Sequence, residues 1–339
     1  YPAATGIYVG GDVAGTITND GLISVTAINT YEDAEAVGIY AGSLSGSIIN
    51  NGDINIEASA PDSDVYAATG IYVDGDVSNT GSIINTGEIT VNVSGTDDYA
   101  EGAGIYVDGD MAGVVRNAGD ITLTSTVAGY EETSFYGIHL DTLSGTLTNT
   151  TTGTINVSRT VGDSSSSGLV GIDVDTLTGT LNNQGSIIVS GTGTSYTAYA
   201  YGVYIDSLDA TGVLNNSGEI RESGKSDAEA SGVRVGTLDG VITNSGTISA
   251  SDESSYNMAL RIVSGTGVIN NTGLIEGDIS IGGTVAVNNA GTIAIPTSET
   301  GTIAGDYTQT AAGIFQLGAE SSADYAQLSI GSTATFAAG

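Results

Sequence analysis

One unit repeats along the whole chain, and it leaves few folds open. Its clearest copy is residues 70–93, Gly-Ile-Tyr-Val-Asp-Gly-Asp-Val-Ser-Asn-Thr-Gly-Ser-Ile-Ile-Asn-Thr-Gly-Glu-Ile-Thr-Val-Asn-Val. It holds three strand-like runs, at Ile71, Ser82 and Ile89, rich in β-branched residues, with Gly, Asn or Asp at every joint. Two landmarks fix the repeat. Gly-[Ile/Val]-x opens at Gly6, Gly38, Gly70, Gly104, Gly137, Gly171, Gly202 and Gly232, and degenerates at Ala259. Asn-x-Gly-x-Ile recurs about ten times, from Gly21 to Gly291. A fixed period of three strands is the mark of a solenoid. The last two glycines, Gly273 and Gly291, are only 18 residues apart. That is about the least that three strands of roughly 4 residues and three corners require. The longer turns are therefore the same coil carrying an extra loop after the third strand.

Strand alternation sets which side chains face the interior. In the first strand the inward residues are pairs such as Ile7 and Val9, Ile71 and Val73, and Val203 and Ile205. In the second, Ile17, Ile48, Ile83, Val115, Leu147, Leu181, Leu214, Ile242 and Ile269 point in; in the third, Ile54 and Ile56, and Ile89 and Val91. Stacking the coils roughly 4.8 Å apart makes these columns continuous. The expected fold is all-β, a parallel β-helix of about ten three-stranded coils with loops from one corner. Parallel crossovers are nearly always right-handed, so this hand is expected too. The repeat domain spans 1–295, and a β-rich capping segment follows at 296–339.

The Asn of the second landmark stands at one corner in successive coils: Asn19, Asn50, Asn85, Asn117, Asn183, Asn216, Asn244, Asn271 and Asn289. An amide both donates and accepts, and Asn tolerates left-handed backbone, so a corner ladder is expected. The coil at Asn149 carries two extra threonines and is expected to break step.

Composition narrows the setting. The chain has no Cys, and 6 Lys and Arg against 39 Asp and Glu give a net charge of −33. Phosphate contacts need cations, so the composition argues against nucleic acid as a partner and disfavours anionic membranes. No apolar run approaches the roughly 20 residues that cross a bilayer as a helix. Only 13% of residues are charged and 40% are hydrophobic, which favours a packed core over a charge-expanded disordered chain. Indifference to redox conditions suits an extracellular place or a bacterial cell surface. No signal peptide is visible and Tyr1 is not a translation start, so the sequence reads as a processed or trimmed form. The first repeat carries no evident polar cap. Either earlier coils precede it or another molecule covers it.

Three outward features are candidates for chemistry. The first is a tyrosine column, Tyr8, Tyr40, Tyr72 and Tyr106, interrupted at His139 and Asp173 and resumed at Tyr204. It serves either as a stacking ladder or as a platform for sugar rings or a partner surface. The second is an aspartate column just past the first strand: Asp74, Asp108, Asp141, Asp175 and Asp206, with Asp76 and Asp110 adding second carboxylates. Several oxygens at coil spacing suit Ca²⁺, which takes 6 to 8 of them at about 2.3–2.6 Å. The alternative is a solvated acidic stripe, and the nonapeptide of calcium β-rolls is absent. The third is the set His139, Asp141, Asp173, Asp175 and Asp206 in neighbouring coils. Paired carboxylates run glycoside hydrolysis in some β-helix enzymes. Yet Gly137-Ile-His139-Leu-Asp141 does not match the motifs of those hydrolases, and basic residues for a lyase are scarce, so no enzyme is expected. A flat ice-binding Thr-x-Thr array is broken after Thr16-Ile-Thr18 by Ser47-Ile-Ile49.

The acidic, tyrosine-bearing loops share one corner: Tyr31–Glu35, Pro61–Asp64, Thr96–Tyr99, Tyr130–Glu132, Gly162–Gly168, Ser195–Tyr201 and Ser251–Tyr256. They form one variable face, a usual place for recognition. After Pro296 the pattern becomes Tyr-x-Gln … Gly-x-Phe-x-Leu … Tyr-x-Gln-Leu-x-Ile-x-Gly, carried by Tyr307, Gln309, Phe315, Tyr325 and Gln327. This end resembles the close of type V autotransporter passenger domains, and the Asn-x-Gly-x-Ile coils resemble those passengers and the wider pectin-lyase-like β-helix superfamily. The resemblance implies secretion, display on the bacterial outer surface as an adhesin-like protein, and an autochaperone-like role for 296–339. The expected partner is a molecule of a host or neighbouring cell. The alternative is head-to-tail self-association into a filament or surface layer.

Overall fold

The computed structural model describes residues 3–29, 33–61, 64–95, 99–127, 133–161, 167–193, 199–223, 229–251, 257–296, 300–322 and 324–337. Every third strand pairs with the next in parallel, giving three sheets of 12, 12 and 11 strands. The chain is a three-faced parallel β-solenoid, and no helix occurs among the described residues. The register is that of the repeat: Ile39 lies on Ile71, Ile71 on Ile105, and Ile48 on Ile83. Like residues thus stack on like, and the aliphatic columns fuse into one core running the length of the molecule. Sharing this core between neighbouring coils is what makes a single coil, unable to bury its own face, stable in the stack.

The second sheet holds the shortest strands, Thr16–Asn19, Ser47–Asn50, Ser82–Asn85 and their successors, with alternate residues buried. The first sheet is longer than its repeat motif. Its strands run from Ala34–Leu44 to Ala230–Leu238, at 9 to 12 residues each. At one end they absorb residues read above as loop: Ala34 and Ala200 are buried in the core, and Tyr199–Leu208 is one continuous strand. The loop centres at 30–32, 62–63, 96–98, 128–132, 162–166, 194–198 and 252–256 lie outside the described residues. At the other end the register shifts between Val107 and Asp110, and beyond the shift an apolar side chain turns in again. Leu44, Val77, Met111, Leu143, Leu177, Leu208 and Leu238 make this further buried column.

The glycine that opens the first landmark is required by close approach. A Cβ on Gly38 would stand 2.5 Å from the Gly70 carbonyl oxygen and 2.6 Å from Ile54 Cγ2 of the third sheet. Gly202 is placed alike, 2.5 Å from both Gly232 O and Ile220 Cγ2. The first sheet therefore packs closely against the third and against its own next strand along a glycine line that has no room for a side chain.

The stack does not end at the last Asn-x-Gly. Thr300–Ile303, Tyr307–Gln309 and Ile314–Leu317 extend all three sheets, and Gln327–Ile330 and Ala334–Phe336 extend the first two. The coil count therefore exceeds the ten read from Asn-x-Gly. The segment after Pro296 continues the solenoid, interrupted by one antiparallel pair, Ala319–Ser321 with Asp324–Tyr325.

Candidate functional site

The corner asparagines form an unbroken amide ladder. Each Nδ2 donates to the Oδ1 of the Asn in the next coil at 2.7–2.9 Å, from Asn19 through Asn50, Asn85, Asn117, Asn149, Asn183, Asn216, Asn244 and Asn271 to Asn289. Asn149 does not break step. It pairs in register with Asn117 and Asn183, and its extra threonines are taken up in the turn before Gly153. Most members also donate to a carbonyl at the start of the third strand, as Asn50 does to Glu88 O at 3.3 Å. Tyr307 and Gln309 receive the ladder beyond Asn289. All ten amides are buried at strand ends, so the corner is structural and leaves no amide face for a ligand.

The outer surface of the first sheet is different. Tyr8, Tyr40, Tyr72 and Tyr106 stack with centroids 4.8, 5.5 and 5.3 Å apart, and Tyr106 meets the His139 ring at 4.4 Å. Parallel register forces this, since equivalent residues sit one strand spacing apart. Tyr8 is exposed and the others are half-buried. Burial, then the Asp108 and Asp74 charges, push the Tyr72 hydroxyl well above its ordinary value, and burial with Glu101 does the same to Tyr106. These phenols stay neutral hydrogen-bond donors across the physiological range. A groove of about 300 Å³ opens beside the column, lined among others by Val37, Tyr40, Tyr66, Thr69, Tyr72 and Glu101.

At the sixth coil the column changes character. His139 is 7% and Asp173 6% exposed. His139 Nδ1 meets Asp173 Oδ2 at 2.8 Å, and Nε2 meets Asp141 Oδ1 at 3.2 Å. Burial is the strongest single influence on the imidazole and acts downward. The hydrogen bond and charge of Asp173, with Asp141 and Asp175 behind, together outweigh it, and the pKa is raised. Tyr204 resumes the column, and the Arg234 guanidinium lies over it at 4.9 Å and over Tyr201 at 5.5 Å. Arg234 Nε donates to Glu229 at 2.7 Å, and Arg261 to the same oxygen at 2.8 Å. Tyr199 stacks on Tyr201 at 5.2 Å. Tyr136, Val170, Asp173, Asp175, Tyr199, Tyr201, Tyr204 and Arg234 line a second groove of about 340 Å³. Tyr136 was not among the candidates read from the sequence, and Tyr199 and Tyr201 were read as part of a loop rather than of this column. They lie outside the Gly-x-Tyr motif, and only the true length of the first-sheet strands puts them on this face.

The calcium expectation finds no such gathering. Among the described residues, no three or more His, Asp or Glu side chains converge closely enough to hold a metal ion. Asp76 and Asp110 act instead on the following coil. Asp76 Oδ1 accepts from the Asp110 amide at 3.0 Å, and Asp110 Oδ1 from Ser144 Oγ at 2.7 Å. Asp74, Asp108, Asp175 and Asp206 are exposed, and Asp141 partly so. Burial first, then the Asp141 and Asp74 charges, raise Asp108; burial and then Asp173 raise Asp175.

No protein-family model, curated protein or solved structure matches the chain. Among the described residues, no helix is long and apolar enough to cross a membrane.

Proposed function

We propose that this solenoid is a non-catalytic adhesive protein that works outside the cell and contacts its partner through the tyrosine and aspartate face of the first sheet. The observation that carries this reading is a pair of tyrosine-lined grooves on one face: Tyr40, Tyr72 and Tyr106 border the first, and Tyr136, Tyr199, Tyr201 and Tyr204 the second. Aromatic side chains give large contact area for little conformational entropy, and buried tyrosines are frequent anchors in recognition surfaces. The corner opposite is spent on the asparagine ladder and the interior is packed; a groove of about 460 Å³ on the third sheet, lined by Glu219, Arg221 and Glu276 among others, has no aromatic side chain, so the first sheet is the face with aromatic-lined concavities. The absence of cysteine and the strong negative charge fit an extracellular location. The likeness of residues 301–339 to autotransporter passenger ends supports display on a bacterial outer surface, with a host or neighbouring-cell molecule as partner.

The test is adherence. Beads coated with the full chain should bind target cells, and beads coated with a Tyr40→Ser, Tyr72→Ser, Tyr106→Ser variant of unchanged melting temperature should lose most of that binding. Equal adherence by the two would sink the face assignment. Uniform fibres in electron micrographs of the purified chain would replace the adhesive reading with the filament one.

A further inference from the structure

Beside the tyrosine column, one coil carries a small residue between two glutamates. In the row that borders the groove of about 300 Å³, Glu35 of the second coil pairs with Ala67 of the third. On the other side Val65 pairs with Ala100 and Ala68 with Gly102, so Tyr66 and Ala67 together stand opposite Glu101 of the fourth coil. Tyr66 is the extra residue of this bulge in both pairings, and it is turned outward, 48% exposed. Bulges re-aim side chains in this way. The row therefore reads glutamate, alanine, glutamate, with the glutamates two coil spacings apart, roughly 9.6 Å along the stack. Ala67 leaves a notch between them. The notch is open: Glu35, Ala67 and Glu101 are partly exposed, Tyr66 and Asp74 are exposed, and the floor, Val37 and Thr69, is buried.

Both carboxylates lack a counter-ion. Among the described residues, neither Glu35 nor Glu101 forms an ion pair with a lysine, arginine or histidine. Glu101 Oε2 accepts from the Tyr99 hydroxyl at 3.1 Å, yet burial acts more strongly on this group and raises its pKa. A half-buried carboxylate without a cation is stabilised by one that enters beside it. The walls select among cations. Tyr40 and Tyr72 cover each other's faces at 5.5 Å, and their other faces are covered by Tyr8 and Tyr106. The column thus turns ring edges and hydroxyls toward the groove. A guanidinium seeks a ring face, as Arg234 does on Tyr204 and Tyr201, and a sugar ring packs on one likewise. An ammonium is a compact charge with three rotatable donors on a slim stem, suited to a place between two carboxylates. Among the described residues, no group of three or more acidic or imidazole side chains is placed to hold a metal ion.

We infer that this notch receives a lysine side chain of a partner protein, its ammonium donating to Glu35 and Glu101 and its methylene stem lying along Ala67 and the edges of Tyr40 and Tyr72. Long cationic side chains commonly bury their stems on apolar surface in this manner. A groove of about 300 Å³ is at the lower end for small ligands, so it takes a side chain rather than a folded element. The net charge of −33 draws cationic segments toward this surface before contact. The inference rests on the reading of the first sheet as the contact face.

The probe is the amidated peptide Gly-Ser-Gly-Lys-Gly-Ser-Gly with rhodamine on its N-terminus, followed by fluorescence polarisation as the full chain is titrated in. Saturable binding is expected, with none for the acetyl-lysine peptide and weaker binding for its arginine counterpart. Glu35→Gln with Glu101→Gln should weaken binding at least about 10-fold, the size of one contact to a charged group. Glu57→Gln with Glu88→Gln removes the same charge from exposed positions on the third sheet and should change it less than about twofold. Ala67→Met fills the notch without touching a carboxylate and should weaken binding as much as the first pair. Equal losses from the two double variants, an arginine peptide that binds as tightly as the lysine one, or lysine-peptide binding that survives Ala67→Met would each overturn the proposal. Cell adherence separates the two readings. Adherence kept in Ala67→Met and lost in the tyrosine triple variant overturns the notch and spares the face. Adherence kept in both overturns both.

Discussion

Replacing Asn117 by Ala should be among the most damaging single changes on the molecule, although it deletes only a small amide. Asn117 Oδ1 accepts from Asn85 Nδ2 at 2.8 Å, and its Nδ2 donates to Asn149 Oδ1 at 2.9 Å and to Thr154 O at 3.3 Å. All three amides are fully buried. Alanine leaves Asn85 short of an acceptor and Asn149 short of its donor, and water cannot reach either. Each buried group left unpaired costs about 1–3 kcal/mol, so the ladder argument gives about 2–6 kcal/mol for the pair. The control is Asn288→Ala. Asn288 Nδ2 makes an amide contact of similar length, 3.0 Å to Asn270 Oδ1, but it is exposed, and solvent replaces the lost partner. That change should cost under about 0.5 kcal/mol. Because coils couple mainly to their neighbours, unfolding need not be all-or-none. Urea midpoints should therefore be joined to hydrogen exchange of the amides in the fourth and fifth coils, which should lose protection in Asn117→Ala and keep it in Asn288→Ala. Asn117→Asp sharpens the test. Its second oxygen would face Asn149 Oδ1, acceptor against acceptor, so its folded pKa rises. The penalty is absent below the unfolded value near 4 and grows as pH rises. Equal midpoints for Asn117→Ala and Asn288→Ala would refute the ladder as a source of stability.

Gly38→Ala should cost about 1–3 kcal/mol by overpacking against Gly70 O and Ile54 Cγ2, outweighing the entropic gain of alanine, whereas Gly11→Ala, with nothing within 4 Å, should be near neutral; melting temperatures decide. His139 has a raised folded pKa, so its contribution is fully present below the unfolded value of about 6.5 and is lost as pH rises through the folded one. His139→Gln should flatten the fall in stability above neutrality, and an unchanged slope would count against the Asp173 contact. Because no group of three or more acidic or imidazole side chains among the described residues is placed to hold a metal ion, EDTA should leave the melting temperature unchanged, and a clear drop would favour the aspartate column as a calcium site.

The period of the chain made the fold legible, since a strand that alternates and recurs can bury its apolar face only against its own copies. Inward columns such as Ile48, Ile83 and Val115 could be assigned from alternation alone, and they are buried. Strand length was not legible. Ala34-Glu35 and Tyr199-Ala-Tyr201 look like loop because alanine and glutamate carry little β signal and both stretches continue acidic or Ser/Thr/Ala-rich runs, yet the neighbouring coil supplies the pairing that propensity does not. The Leu44 to Leu238 column escaped notice for a related reason. The register shifts between these strands, and Leu44 comes three residues after Ala41 where Val13 comes four after Val9, so the leucine of Ser-Leu-Ser-Gly falls out of phase with Ile39 and Ala41. The site depended on both errors, because Tyr136, Tyr199 and Tyr201 stand on the unrecognised part of the strand.

In a stacked repeat, regularity and recognition pull apart. A column of identical residues satisfies itself: tyrosine rings cover tyrosine rings, and each asparagine answers the next. Such a column has few unmet contacts to offer a ligand except at its rim. Val170 and Asp173 break that regularity in the same coil, and Asp173 keeps one carboxylate oxygen buried and unbonded. The groove of about 340 Å³ lies at this break, bordered by Tyr136, Tyr199, Tyr201 and Tyr204. The coils on either side hold these rings in place through the whole stack, and a site whose groups are already positioned loses less on binding. The sixth coil is therefore where substitutions should separate binding from folding.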